Sequence, residues 1–288
     1  MDLRESSQQA GTHFSQKFAV EQILFEKKSQ FQHICVFHNT GLGRVLVLDN
    51  IVQTTELDEF IYHEMFAHVP LFSHPNPKSV LIIGGGDGGL LREVLRHPSV
   101  ETVDMVEIDA DVVHACRKFM PFICRDAYED PRSNLIIDDA LVYIQETEKT
   151  YDVILCDSTD PTGPSEALFS PAFFDMCSES LNSGGIFVNQ CGIPFLRGNH
   201  HHKVIDDLGL VFSEVAAYQT TVPTYSGGPM VFVMATKNSG VIDLPIETIN
   251  TRYTAAEFKT LCYNPAVHKA AFALPEYMTD PLWLKLRG

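Results

Sequence analysis

Between Ala19 and Thr55 the chain alternates apolar and polar residues in short runs rich in β-branched and aromatic side chains. Ile23–Glu26, Phe31–His38, Arg44–Asp49 and Ile51–Thr54 are punctuated by Gly41, Gly43 and the pair Asp49 and Asn50, which predicts a small antiparallel sheet of hairpins. From Glu56 the spacing turns helical, with Phe60, Ile61, Met65 and neighbours running to Pro70. After the spacer Ser73–Ser79, nearly continuous apolar runs alternate with amphipathic stretches. Strands are predicted at Val80–Ile83, Thr102–Ile108, Asn134–Ile137, Val153–Cys156, Ile186–Asn189, Glu214–Gln219 and Met230–Ala235. Helices are predicted at Gly89–Arg96, Asp111–Phe119, Leu141–Glu146, Pro171–Leu181 and roughly Gly198–Leu208, with a helical tail over Leu244–Trp283. Such alternation implies an α/β fold, a parallel sheet with helices on both faces.

Acidic residues stand at or just past the carboxyl ends of these strands: Asp87, Glu107, Asp139 and Asp157. In an open parallel sheet, ligands bind outside those ends. A pocket rimmed by carboxylates favours a cation, and no histidine or cysteine pattern accompanies them to make a metal site. The expected ligand therefore carries the positive charge itself.

Composition narrows the setting. A formal net charge of −16 argues against nucleic acid, whose phosphates would be repelled. Seven scattered cysteines without zinc or redox spacing suit a reducing compartment. No apolar run approaches the ~20 residues of a membrane span, and the polar start, Met1–Thr12, lacks a signal-peptide core. A cytoplasmic location is expected. The run Asn199–His202 is read as a solvated helix start, because consecutive histidines on a helix face different ways.

The segment Gly84-Gly-Gly-Asp-Gly-Gly89 follows a strand and opens a helix, satisfying G-x-G-x-x-G through Gly84, Gly86 and Gly89. Glu107 lies at the end of the next strand, where an acid grips ribose hydroxyls. Together they indicate an adenosine-type ligand. Asp87 disfavours a dinucleotide, since a carboxylate about 4 Å from a phosphate costs about 4 kcal/mol at an effective dielectric of about 20. It would also oppose the carboxylate of S-adenosylmethionine. Decarboxylated S-adenosylmethionine, with a primary amine at that end, fits best. A helix-capping role is the competing reading for Asp87, and for one of Asp138 and Asp139.

Downstream, Asp157 and Asp160 sit in a proline-stiffened loop over the same crevice. A carboxylate there can hold a substrate ammonium and take its proton as the amine attacks carbon. Asp157 is the candidate base, and Asp160 the candidate that orients the amine.

These residues, Gly84–Val94, Val106–Asp109 and Asp157–Pro164, together with Gln53–Glu56, Asp58–Glu64, His68–Pro70, Val222–Tyr225 and Tyr263–Pro265, resemble the polyamine aminopropyltransferase family, the bacterial spermidine synthases in particular. The likeness runs from about Phe18 to Tyr277. It implies aminopropyl transfer from decarboxylated S-adenosylmethionine to putrescine, with no metal and no redox cofactor. It also implies a small N-terminal β domain (residues 1–58) on a methyltransferase-like Rossmann sheet (residues 59–288), assembled as a homodimer or homotetramer. By resemblance Asp157 accepts the proton, Asp87 holds the aminopropyl amine and Glu107 the ribose. Gln32 contacts the sulfur side, while Tyr62, His63, Asp160 and Tyr225 line the amine channel. Asp139 and Pro164 border the adenine. Ala140 departs from the glycine usual there and is expected to crowd the adenine slightly. Two alternatives remain: an amine N-methyltransferase using intact S-adenosylmethionine, and a polyamine sensor without catalysis.

Overall fold

The computed structural model describes residues 2–6, 15–159, 163–197 and 200–280. At the start, β1 (Asp2–Ser6) pairs antiparallel with β2 (Ser15–Ala19). Both strands are mostly polar, so no apolar alternation announced them. A four-stranded antiparallel meander follows, built from β3 (Gln22–Lys28), β4 (His33–Asn39), β5 (Gly43–Leu48) and β6 (Ile51–Thr55). The strand expected from Phe31 begins at His33, because the Ser29 hydroxyl accepts the N–H groups of Phe31 and Gln32 and closes a turn. Between β5 and β6, Asp49 and Asn50 both take positive φ (48° and 65°), the conformation of a two-residue hairpin turn.

The helix α1 (Glu59–Ser73) leads into the larger domain and is buried on nearly every side. Beyond it come β7 (Ser79–Gly84), α2 (Gly89–Leu95), β8 (Thr102–Glu107), α3 (Ala110–Phe119), the short α4 (Pro121–Cys124), β9 (Ser133–Ile137), α5 (Ala140–Glu146) and β10 (Tyr151–Asp157). The chain continues through α6 (Pro171–Glu179), β11 (Leu181–Gln190), α7 (Pro194–Arg197), α8 (His200–Leu208), β12 (Glu214–Thr220) and β13 (Met230–Thr236). Three C-terminal helices close it, α9 (Ile246–Ala255), α10 (Pro265–Ala271) and α11 (Glu276–Thr279). Leu181, expected at a helix end, instead opens β11.

Seven strands form one sheet in the order β12-β13-β11-β10-β7-β8-β9. All are parallel from β11 to β9, and β13 runs antiparallel to both of its neighbours. This is the expected α/β architecture, with the antiparallel β domain beside it. After β7 the chain steps outward to β8 and β9, then returns to place β10 on the other side of β7. Ligands bind at such a reversal, and there Asp157 lies in register with Gly84.

Apolar layers cover both faces of the sheet. Met65, Phe66, Leu91 and Ile249 pack on one, and Ile144, Phe173, Phe174 and Val204 on the other. The meander splits its side chains likewise. Ile34, Val36, Leu46 and Leu48 pack against Val112, Cys116 and Ile123 of the larger domain, while Phe37, Val45 and Val47 form a separate cluster with Phe18. That seam fixes the β domain over the ends of β7 and β8. Among the described residues, no helix is long and apolar enough to cross a membrane.

One expectation about the histidine run is corrected. His201 is fully buried in α8, its Nε2 2.9 Å from the Met278 carbonyl oxygen beneath the C-terminal helices, so this helix start is not simply solvated. Asn199 lies outside the described residues.

Candidate active site

The glycine turn lets other parts of the protein come close. At Gly84 (φ 80°) an added Cβ would lie 2.2 Å from the Asp157 carbonyl oxygen, so only glycine allows β10 to approach there. A Cβ at Gly86 would meet Glu107 Oε2 at 2.8 Å, and one at Gly89 would meet the His63 ring at 2.3 Å. The three motif glycines thus seat three site residues against the turn.

Outside the ends of β7, β8 and β10 lies a cavity of about 630 Å3, roofed by the β domain. Asp157 enters it at the end of β10, with Oδ1 accepting a 2.6 Å hydrogen bond from the Tyr62 hydroxyl. Burial and the nearby Asp87 charge push its pKa up to about 7, against the opposing pull of Tyr62 and His63. Glu107, buried at the end of β8, is also raised to about 7 by desolvation, although the Asp109 N–H donates to its Oε1 at 2.9 Å. Among the described residues, neither carboxyl has a cationic side chain within ion-pair distance.

Asp87 stands differently. Its Oδ1 accepts the Gly89 N–H at 2.7 Å, so it bonds the first residue of α2 from just before the Gly88 N-cap and is not itself that cap. Its Oδ2 lies 3.4 Å from His63 Nε2. Burial opposes ionisation, but His63 and the Gly89 N–H outweigh it and hold Asp87 below the usual carboxylate range. His63 reaches the cavity wall while almost wholly buried, with Nδ1 2.6 Å from Glu59. Burial disfavours its charge; Asp87 and Glu59 prevail and raise it to about 10.

The remaining expected residues also converge, with some of their capacity already used. Gln32 lines the cavity and donates from Nε2 to Asp109 at 3.0 Å, tying the β domain to the N-cap of α3. Asp139 caps α5 by accepting the Leu141 N–H at 2.8 Å, and Ala140, the first residue of that helix, shares the cavity wall with it. Tyr225 sits across from Tyr62, ring centroids 6.1 Å apart, and donates to the Gln53 carbonyl oxygen. Asp160 lies outside the described residues. Pro164 falls in the 3-10 turn Gly163–Phe169, and its side chain is likewise outside them.

Several residues that sequence reasoning missed also reach the cavity. Glu5 and Gln16 arrive on the N-terminal hairpin, where Gln16 Nε2 donates to the Thr224 carbonyl oxygen at 3.0 Å. Gln190, at the end of β11, donates to the Ser158 carbonyl oxygen at 2.6 Å and steadies the start of the loop after Asp157. Its position at a strand end was the available signal. Behind the wall, Arg92 grips Glu59 with two 2.9 Å hydrogen bonds. Among the described residues, no group of three or more histidine, cysteine or acidic side chains is arranged to hold a metal ion.

Comparison with known proteins decides the family. The spermine/spermidine synthase domain model matches residues 59–244, and the spermidine synthase tetramerisation domain model matches residues 4–56. The chain belongs to the spermine/spermidine synthase family. Polyamine aminopropyltransferases from Salmonella arizonae and Salmonella paratyphi B are each 51% identical over 269 residues, covering 93% of this chain and 94% of theirs. Such enzymes are transferases, and this chain is placed among them. A crystal structure of a spermidine synthase in complex with the transition-state analogue AdoDATO matches with a TM-score of 0.92 at 36% identity, covering 99% of this chain and 95% of that one. The spermidine synthase of Thermotoga maritima matches with a TM-score of 0.89 at 34% identity, covering 98% and 94%.

Proposed function

We propose that this protein transfers the aminopropyl group of decarboxylated S-adenosylmethionine to putrescine, giving spermidine and methylthioadenosine, with Asp157 as proton acceptor. The observation that carries the reading is the buried Asp157 carboxyl at the sheet's reversal, poised near neutrality with the Tyr62 hydroxyl on one oxygen. An incoming ammonium stabilises the carboxylate form and draws the Asp157 pKa down. The base is then ionised when the amine arrives. Asp157 takes a proton from that ammonium and frees the nitrogen lone pair, which attacks the methylene beside sulfur; the C–S bond breaks, and methylthioadenosine leaves as a neutral thioether. The product leaves as a secondary ammonium, and Asp157 returns its proton to solvent. Positive charge moves from sulfur to nitrogen along this path, and acids grouped at the nitrogen side follow it. Holding both substrates in line supplies much of the remaining acceleration.

Asp87 is assigned the aminopropyl amine. Each of its oxygens, though used by Gly89 or His63, retains acceptor capacity. Glu107 is assigned the ribose hydroxyls, Gln32 the sulfur side, and Asp139, Ala140 and Pro164 the adenine border. Tyr62, His63, Asp160 and Tyr225 are assigned to the acceptor channel. The chemistry requires no metal or redox group, because the leaving group is already a neutral molecule. We also propose a homodimer or homotetramer, a reading supported by the tetramerisation model over residues 4–56. A reducing, cytoplasmic setting is supported by the seven free cysteines.

The test is incubation of the protein with putrescine and either donor, followed by mass spectrometry. An aminopropyl adduct formed only from the decarboxylated donor is expected. A methyl adduct from intact S-adenosylmethionine, or no adduct from either, overturns the proposal.

A further inference from the structure

We infer that Glu59 and Arg92, which lie behind the cavity wall, are positioning residues that hold the His63 ring doubly protonated against Asp87 and thereby set the charge at the amine-binding end of the site. This rests on the amine-transfer reading above and adds two residues to it.

Geometry carries the inference. Glu59 and His63 are one helical turn apart on α1, so they share a face. The ring's Nδ1 lies 2.6 Å from Glu59 Oε2, and its Nε2 lies 3.4 Å from Asp87 Oδ2. With a carboxylate at each nitrogen, a neutral ring would point a lone pair at one of them; only imidazolium donates to both. The ring lies close against the start of α2, where a Cβ on Gly89 would overlap it. One turn along the same helix, Arg92 forks onto both Glu59 oxygens at 2.9 Å each, and its Nε donates to Glu93 at 2.8 Å. Arg92 is itself nearly buried, and its planar fork fixes which way the Glu59 carboxylate faces.

The charged and titratable groups around this point are few. Glu59 and Tyr62 face it from α1, Arg92 from α2, Asp87 from the glycine turn, and Asp157 and Glu107 from the strand ends. Tyr225, Cys116, Cys124 and Tyr128 also feel the Asp87 charge. Among the described residues, His63 is the one histidine, lysine or arginine on the cavity wall. Without its charge, the repulsion between Asp87 and Asp157 is opposed only by Arg92 and the Tyr62 hydroxyl, and Asp157 keeps its proton to higher pH. A base that stays protonated at neutral pH cannot accept another.

The experiment follows the histidine rings of the full-length protein by nitrogen-15 NMR, with H63N used to assign His63. Wild type is expected to show both His63 nitrogens protonated at pH 8. A neutral ring at that pH overturns the inference outright. In E59Q, which keeps the size and an acceptor oxygen, the His63 transition is expected to move down in pH. The acid limb of kcat for putrescine should move up by roughly one unit, with about tenfold less turnover below it. Binding of methylthioadenosine should stay within about threefold, which separates this effect from collapse of the site. R92K, which keeps the charge but loses the fork, should shift both curves the same way by less, and it serves if E59Q does not fold. Unchanged His63 titration and an unchanged acid limb in a folded variant overturn the inference. If wild type makes no aminopropyl product, the proposed reaction fails while the ring titration still decides the role of the two residues.

Discussion

Two buried glutamates in the larger domain, Glu93 and Glu107, differ by their neighbours and not by their depth. Glu93, on α2, accepts from Arg92 at 2.8 Å and Arg96 at 2.6 Å and meets His68 at 3.0 Å. Burial opposes its charge, yet these partners hold it far below the usual range. Glu107, a strand-end residue facing the cavity, has only neutral donors and is driven up to about 7. The same contrast separates Glu59, gripped by Arg92 and His63, from Asp157, which has a tyrosine hydroxyl. On the α1–α2 side acids are neutralised to build a rigid wall. At the strand ends Glu107 and Asp157 have no cationic partner among the described residues. Burial raises a carboxyl's pKa unless a partner answers it, so partner placement separates Glu59 and Glu93 from Glu107 and Asp157, while Asp87 faces the cavity with His63 as its partner.

Asp157→Asn is the sharpest way to break this contrast. Turnover should fall by roughly 10³-fold, within the range for a lost general base, while methylthioadenosine binding persists. Stability should move the other way. The folded-state pKa of Asp157 lies above its reference of 3.8, so the unfolded chain releases the proton first as pH rises from about 4 to about 7. Over that window the unliganded wild type loses stability, by at most about 4 kcal/mol from this residue. Asp157→Asn removes the penalty. Its unliganded form should therefore melt above wild type at pH 8 and alongside it at pH 4, measured by calorimetry. Near-normal turnover removes Asp157 from its role, and equal melting at pH 8 removes the account of its charge.

The scaffold side should respond oppositely. Arg92→Met leaves Glu59 and Glu93 each short of a partner, at a cost of about 3–5 kcal/mol, the usual penalty for breaking a buried ion pair. Urea unfolding would measure it. A cost under about 1 kcal/mol would mean that these acids are no better satisfied than those at the strand ends.

The smallest change is Ala140→Gly, which restores the residue the family resemblance leads one to expect. Loss of one methyl at the first turn of α5 should cost no more than about 1 kcal/mol of stability. Isothermal titration with methylthioadenosine should detect an affinity change within about threefold. A gain of tenfold or more would show the methyl to be a real obstruction at the adenine border.

Much of the site was legible because strand ends are legible. Glu107, Asp139 and Asp157 could be assigned to the crevice from apolar runs followed by acids, and the glycine turn marked where the chain comes close to itself. The N-terminal hairpin was not, since Glu5 and Gln16 lie in strands without apolar alternation. His201 was misjudged because a run of three histidines carries no sign of the C-terminal segment folding over one of them. Arg92 and Glu93 fell within the Gly84–Val94 segment that carries the family resemblance but drew no role of their own, for nothing local says that α1 will bury them.

What the linear order of residues determined was the alternation of strand and helix, the position of the glycine turn and the acids beside it. These depend on periodicity and on backbone stereochemistry, both of which act over a few residues. Only the tertiary structure decided the charge of each acid. That property turns on whether a cation from a distant element comes to rest within hydrogen-bonding reach, as Arg92 does for Glu59 across 33 positions and as no residue described here does for Asp157.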